Sequence, residues 1–172
     1  MRDLMEHYNA CMELLAEIGI EPPAEKIKSV SVDRRSTKTW GKVAVHWRNK
    51  AANDVDFFEI KIREMLLLDV NPIDELENVI LHEILHTMPG CQNHGAVWQA
   101  HADRVNAALG VHISQYADAE NIKFDPYAER EKRYAVRCTA CGNIIYRQNF
   151  SDVIRFPGLY HCSCGGDLER IK

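Results

Sequence analysis

The sequence predicts an α+β fold followed by a small β unit, and three observations carry that prediction. Apolar residues recur at three- and four-residue spacing in residues 3–18, 73–86 and 95–109, the pattern of helices with one buried face. Between the first two stretches, short segments alternate apolar with polar residues, the period of a strand. Four of the six cysteines lie beyond residue 137, in two close pairs separated by about twenty residues.

Length and charge bound the possibilities. A chain of 172 residues, 46% of them apolar, can bury one modest core and support a small appendage. The amino terminus, Met1-Arg2-Asp3-Leu4-Met5-Glu6-His7, is acidic where a secretion signal needs a positive start and an apolar run, and no stretch is long enough to cross a bilayer. A cytoplasmic protein without a membrane partner is expected. In a reducing compartment six cysteines favour metal binding over a disulfide framework. The net charge of −4 is unevenly spread: residues 122–172 carry nine Lys/Arg against six Asp/Glu, leaving a net −7 in the first 121. The two parts therefore differ in electrostatic character.

In chain order, Leu4, Tyr8, Cys11 or Met12, Leu15 and Ile18 predict an amphipathic helix that Gly19 stops. After the breaker Glu21-Pro22-Pro23, Val30 and Val32 mark one strand. Val43, Val45 and Trp47 mark a second after Trp40-Gly41, and Phe58, Ile60 and Ile62 a third, with Lys50 to Asp56 as a polar connection. The economical arrangement is a small antiparallel sheet. Cys11 reads as a small buried hydrophobe, and His46, on a strand face, as structural.

The next helix begins at a clear signal: Asn71 as cap, Pro72 at the first helical position and Asp74 where its charge suits the helix amino terminus. Ile73, Leu76, Val79, Ile80, Ile84 and Leu85 form its apolar face. This helix carries His82-Glu83-Ile84-Leu85-His86, an H-E-x-x-H pattern. One turn of helix rises about 5.4 Å, so His82 and His86 share a face and can converge on one zinc ion, with Zn–N distances of about 2.0–2.1 Å. Glu83, on the same turn, stands where a general base can take a proton from water. A helix with two histidines and a glutamate on a solvated face would look the same. Pro89-Gly90 breaks the helix just past His86, however, and returns the chain to a third histidine, His94, expected as the third ligand.

After His94-Gly95, the spacing of Trp98, His101, Val105 and Leu109 predicts a helix closed by Gly110. Trp98 reads as core. His101 reads as core or as support for the metal site, and is the runner-up for third ligand. Cys91 lies between the ligands, but a thiolate there would oppose an open water position, so packing is its expected role. Residues 111–127 look irregular, with Tyr116, Phe124 and Tyr127 expected to pin them to the core, and Glu129 to Arg133 reads as a charged linker.

The last segment carries Cys138-Thr139-Ala140-Cys141-Gly142, two strand-like runs, and Tyr160-His161-Cys162-Ser163-Cys164-Gly165-Gly166. Paired cysteines on tight turns, each followed by Gly, form a zinc-ribbon pattern. The second pair is C-x-C, and His161 has the two-residue spacing to Cys164, so His161 and Cys162 compete for one position. Thiolate, the stronger structural ligand, favours Cys162. Four ligands close the site, so this second zinc is structural.

Taken together, a leading helix, a small sheet, a helix with H-E-x-x-H, a third histidine in an H-G dipeptide and a terminal zinc ribbon resemble the SprT-like proteins over nearly the whole chain. The resemblance implies a compact zincin-like metallopeptidase core in residues 1–128 and a zinc ribbon in 129–172. It puts the catalytic zinc on His82, His86 and His94, the catalytic glutamate on Glu83, and the structural zinc on Cys138, Cys141, Cys162 and Cys164. The Spartan relatives cut proteins crosslinked to DNA, so a protein substrate associated with DNA, and non-specific DNA as a partner, are what the resemblance implies. Arg137, Arg147 and Arg155 are the cations expected to serve it. Two departures, a shorter gap between His86 and His94 than in the Spartan branch and the short second cysteine pair, bear on substrate more than on metal. The competing reading is a DNA- or protein-binding regulator with structural zinc sites and vestigial peptidase activity.

Overall fold

A computed structural model describes residues 1–36, 39–115, 122 and 133–172. The fold is α+β and divides into two compact units, Met1–Asp125 and Pro126–Lys172. Among the described residues no helix is long and apolar enough to cross a membrane.

In the first unit, α1 (Leu4–Glu17) is capped by Asp3, whose carboxylate accepts from the backbone N–H groups of Met5 and Glu6. It buries Leu4, Tyr8, Cys11 and Leu15, so Cys11 and not Met12 takes the inward position. Three strands follow: β1 (Ile27–Asp33), β2 (Gly41–Asn49) and β3 (Asp54–Arg63). The sheet order is β1-β3-β2, with β2 antiparallel to β3 but β1 parallel to it, which corrects the expected all-antiparallel sheet. Burial gives the reason. Only β3 is apolar enough for the centre, with Phe58, Ile60 and Ile62 at most 2% exposed, so the β2–β3 hairpin inserts its second strand beside β1. The polar connection is shorter than expected: a single turn over Lys50–Ala52 with Asn53 in the left-handed region.

Helix α2 (Ile73–Leu85) packs on this sheet. Leu76, Val79, Ile80, Leu81, Ile84 and Leu85 are all buried, each contributing about 1.5–3 kcal/mol relative to exposure, so the helix that carries the histidines is rigidly held. Two details differ from expectation. Ile73 is 42% exposed, because it starts the helix ahead of the packed face. Pro72, not Asn71, is the cap residue; the Asn71 side chain is buried and donates to the carbonyl of Met65 at 2.7 Å, holding the preceding turn. After a loop comes α3 (Ala96–Leu109), which buries Trp98, Ala102 and Val105 and ends at Gly110.

The second unit pairs β4 (Tyr134–Cys138) with both β5 (Ile144–Arg147) and β6 (Leu168–Arg170), all antiparallel. Where a further strand-like run was expected before the second cysteine pair, the chain forms a helical turn, α4 (Asp152–Arg155), which places Ile154 beside Val136, Cys138, Cys162 and Leu168 in a small core. Tyr116, Phe124, Tyr127 and the charged run from Glu129 lie outside the described residues, apart from Arg133.

Candidate metal centres and the cleft

The end of α2 and the loop behind it build one cluster. His82 and His86 stand one turn apart, as their spacing requires. Beyond His86 the helix closes through Thr87, whose hydroxyl donates to the Ile84 carbonyl, and Gly90, with φ 77°, reverses the chain. His94 then returns to the pair from the loop ahead of α3. The three Nε2 atoms are mutually 3.0–3.1 Å apart. His82 Nδ1 lies 2.9 Å from the Ser114 carbonyl and His86 Nδ1 lies 2.6 Å from the Cys91 carbonyl. A carbonyl only accepts, so those Nδ1 atoms carry the protons and the corresponding Nε2 atoms present bare lone pairs.

Bare lone pairs gathered this closely repel one another unless a cation lies among them. Donors arranged tetrahedrally at the usual Zn–N distance of about 2.0–2.1 Å are about 3.3–3.4 Å apart, close to the spacing found here. The donor set therefore fits zinc, and backbone carbonyls already orient two of its rings. Burial lowers the pKa of all three histidines, that of His82 to about 4, which keeps them neutral as ligands must be. Beneath them lies Trp98, fully buried, with its rings 4.6–5.6 Å from all three imidazoles. Trp98 is core, as its spacing suggests, and also the floor of the cluster.

Glu83 is 5% exposed and has no hydrogen-bond partner among the described residues; burial pushes its carboxyl up to about 8. Its side chain lies directly against Gly41, the first residue of β2: a Cβ there would stand 2.5 Å from Oε1 and 2.6 Å from Cγ. Glu83 and the three histidines line a cleft of about 820 Å³. One wall is the polar face of α2 with Glu75 and Asn78, and the opposite wall is β2 from Gly41 to Val45. β3 pairs with one side of β2 only, so β2 is an edge strand of the sheet, and its consecutive residues Gly41, Lys42 and Val43 line the cleft.

His101, the runner-up ligand, is not part of this cluster; it borders a shallow depression with Val97, Ala100 and Arg104 on α3. Cys91 is fully buried, in keeping with packing, while its carbonyl holds His86. His46 stacks on Phe57 at 4.1 Å on the sheet surface.

In the second unit Cys138, Cys141, Cys162 and Cys164 converge, with Cys138–Cys164 and Cys141–Cys162 sulfur distances of 3.6 and 3.7 Å. A tetrahedron of thiolates at the usual Zn–S distance of about 2.3 Å has edges of about 3.8 Å, so this set also fits zinc. Backbone N–H groups aimed at the sulfurs lower the pKa of Cys138, and that of Cys162 to about 6, whereas Cys141, despite a backbone N–H from Asn143, is pushed up to about 12 by the other three sulfurs, so full ionisation of the set calls for a cation among them. His161 stands outside the set, exposed and paired with Asp167 at 3.2 Å. Of the three arginines, Arg137 is spent on an ion pair with Glu169, Arg147 donates to the Tyr146 carbonyl, and Arg155 lies over the rings of Phe150 and Phe156.

Gly41 and the carbonyls of Cys91 and Ser114 escaped sequence reasoning. A main-chain carbonyl leaves no mark in a sequence. Gly41 did leave one, a Trp-Gly step at the start of a strand, but its neighbour across space did not. A family model described as the SprT-like family matches residues 5–117. Comparison with curated proteins finds no match.

Proposed function

The chain belongs to the SprT-like family, and on that premise we propose that it is a zinc-dependent endopeptidase whose metal is held by His82, His86 and His94. One observation carries the reading: the Nε2 atoms of three histidines converge beside a buried carboxyl group that has no hydrogen-bond partner among the described residues, and all four side chains line one cleft with residues of the edge strand β2. Zinc supplies Lewis acidity in such a site, lowering the pKa of water from 15.7 to about 7 and polarising a carbonyl. A dication held beside Glu83 would offset the effect of burial and favour its ionised form, and Glu83 would then take the proton from the attacking water and deliver it to the leaving amine. The β2 edge receives the substrate as an added strand, its backbone groups aligning an extended peptide across Glu83. That geometry suits a protein segment that can be drawn out straight.

Glu83→Gln tests the chemistry, because it preserves shape and removes the base. The variant should keep zinc at both centres and lose cleavage of an unfolded protein substrate. Unchanged turnover would remove Glu83 from the role. A wild-type chain that holds zinc and cleaves no unfolded or DNA-bound protein would favour the regulator with structural metal sites.

For DNA-associated substrates, a specific feature of the ribbon supports contact. Phe150 and Phe156 are 40% and 51% exposed, with Arg155 over both rings and Arg170 over Phe150. Exposed rings braced by guanidinium groups are a stacking platform for unpaired bases, and the binding would be non-specific and salt-sensitive. Phe150→Ala with Arg155→Ala should weaken single-strand binding at least about tenfold, given stacking worth about 1–3 kcal/mol per base. Binding insensitive to both changes would shift recruitment to a protein partner.

A further inference from the structure

We infer that Asn106, together with Asn78, is a positioning residue for the metal ligand His82. The link runs through residues 112–114, which belong to no helix or strand. Gly110, with φ 68°, turns the chain back at the end of α3, and the next residues are then held by side chains one after another. The His112 N–H donates to Asn78 Oδ1 at 3.2 Å. Asn106 grips Ile113 from both sides, Nδ2 donating to its carbonyl at 2.9 Å and Oδ1 accepting from its N–H at 2.7 Å. The Ser114 carbonyl, one residue on, receives His82 Nδ1 at 2.9 Å.

This arrangement does more than tie down a loop. Loop backbone without ladder partners keeps rotational freedom, and a carbonyl that swings loosely cannot fix an imidazole's tautomer or ring plane. The two-bond grip of Asn106 imitates a strand pairing and sets the orientation of the Ile113–Ser114 peptide. Asn78 stands on α2 one turn before His82, so it fastens the same segment to the helix that carries the ligand. Ser114 and His82 are thereby fixed to one frame. His86 has a separate hold, the Cys91 carbonyl, which Asn106 does not touch. Asparagine is a poor residue for a helix interior, and its place in the last turns of α3 is explained by this second use of its amide.

The inference rests on the reading that the three histidines hold zinc, but not on peptidase activity. The experiment measures zinc affinity at the histidine centre of the full-length chain by competition with a chromophoric chelator, with the cysteine centre as internal reference. Asn106→Leu removes both bonds to Ile113; Asn106→Asp keeps the acceptor and removes the donor, and serves if the leucine variant fails to fold. Each should weaken the histidine centre by about 10–100-fold, the usual cost of losing support behind a ligand, and leave the cysteine centre unchanged. In a His82→Ala background the same substitution should have no further effect, because the ligand it positions is gone. Affinity within twofold of the parent in Asn106→Asp would overturn the inference, and so would equal losses with and without His82. A chain that binds zinc in this Asn106-dependent way yet cleaves nothing would refute the peptidase reading alone.

Discussion

Replacing Gly41 with alanine offers a direct test of how Glu83 is held. The backbone of Gly41 lies outside the left-handed region, so the substitution introduces no conformational strain and its effect is steric. The added Cβ would stand 2.5 Å from Glu83 Oε1, 2.6 Å from Cγ and 2.8 Å from Cδ. Carbon atoms normally approach to about 3.5–4.0 Å, so Cγ and Cδ must retreat by about 1 Å. A swing of the carboxylate tip cannot relieve this, because the clash reaches Cγ, and the 5% exposure of Glu83 leaves little room to withdraw. Misplacing a reacting group by about 1 Å costs about a hundredfold in rate, or roughly 2.7 kcal/mol of barrier. Crowding costs about 1–3 kcal/mol of stability, partly offset by about 0.4–1 kcal/mol from a stiffer unfolded chain. Steady-state cleavage of an unfolded protein, with zinc content and thermal unfolding of the same preparations, gives the answer. Gly41→Ala should retain both zincs, melt somewhat lower, and lose about two orders of magnitude in kcat with a smaller change in KM. Turnover within threefold of the parent would refute the argument that Gly41 sets the position of the base.

The other expectations concern the metal centres. His94→Ala should lose zinc from the histidine centre while His101→Ala keeps it, since His101 borders a different face of α3; metal analysis of both purified variants checks this, and equal losses would contradict the cluster geometry. Acid should destabilise the zinc-stripped Glu83→Gln chain early; in the parent, the raised Glu83 carboxyl works in the opposite sense above pH 4.5. Burial first, then the charges of His86 and His94, hold the His82 pKa near 4 against an ordinary 6.5, so between those values the unfolded chain binds more protons than the folded one. Stability therefore rises with pH through that window and falls on acidification from pH 6.5 toward 4, by up to about 3 kcal/mol from His82. Urea unfolding of the stripped Glu83→Gln chain at several pH values measures it free of the opposing carboxyl, and a flat profile there would contradict the buried, neutral His82. In the ribbon, Cys162→Ser should release the structural zinc and His161→Ala should not, because His161 is exposed and paired with Asp167; thiol-sensitive zinc release reads the difference.

What the sequence determined by itself was the set of local patterns. Helical spacing placed α1, α2 and α3 to within a few residues, because each helix buries one continuous face and the burial is written in its period. The H-E-x-x-H spacing already implied that His82 and His86 share a side, and the breaker at Pro89-Gly90 that the chain turns back toward His94. The two cysteine turns were equally local, down to the glycines Gly142 and Gly165, whose φ values of 73° and 84° the tight turns demand. The tertiary structure alone decided relations between segments distant in sequence. Whether β1 ran parallel to β3 depended on which strand was apolar enough for the centre, a competition no single segment records. The choice of Cys162 over His161 depended on which side chain faced the other three sulfurs. Gly41 beside Glu83, and Asn106 behind Ser114 and His82, are contacts made by packing and by backbone carbonyls. Periodicity encodes which face of an element is buried, but not which atom of another element it will meet there.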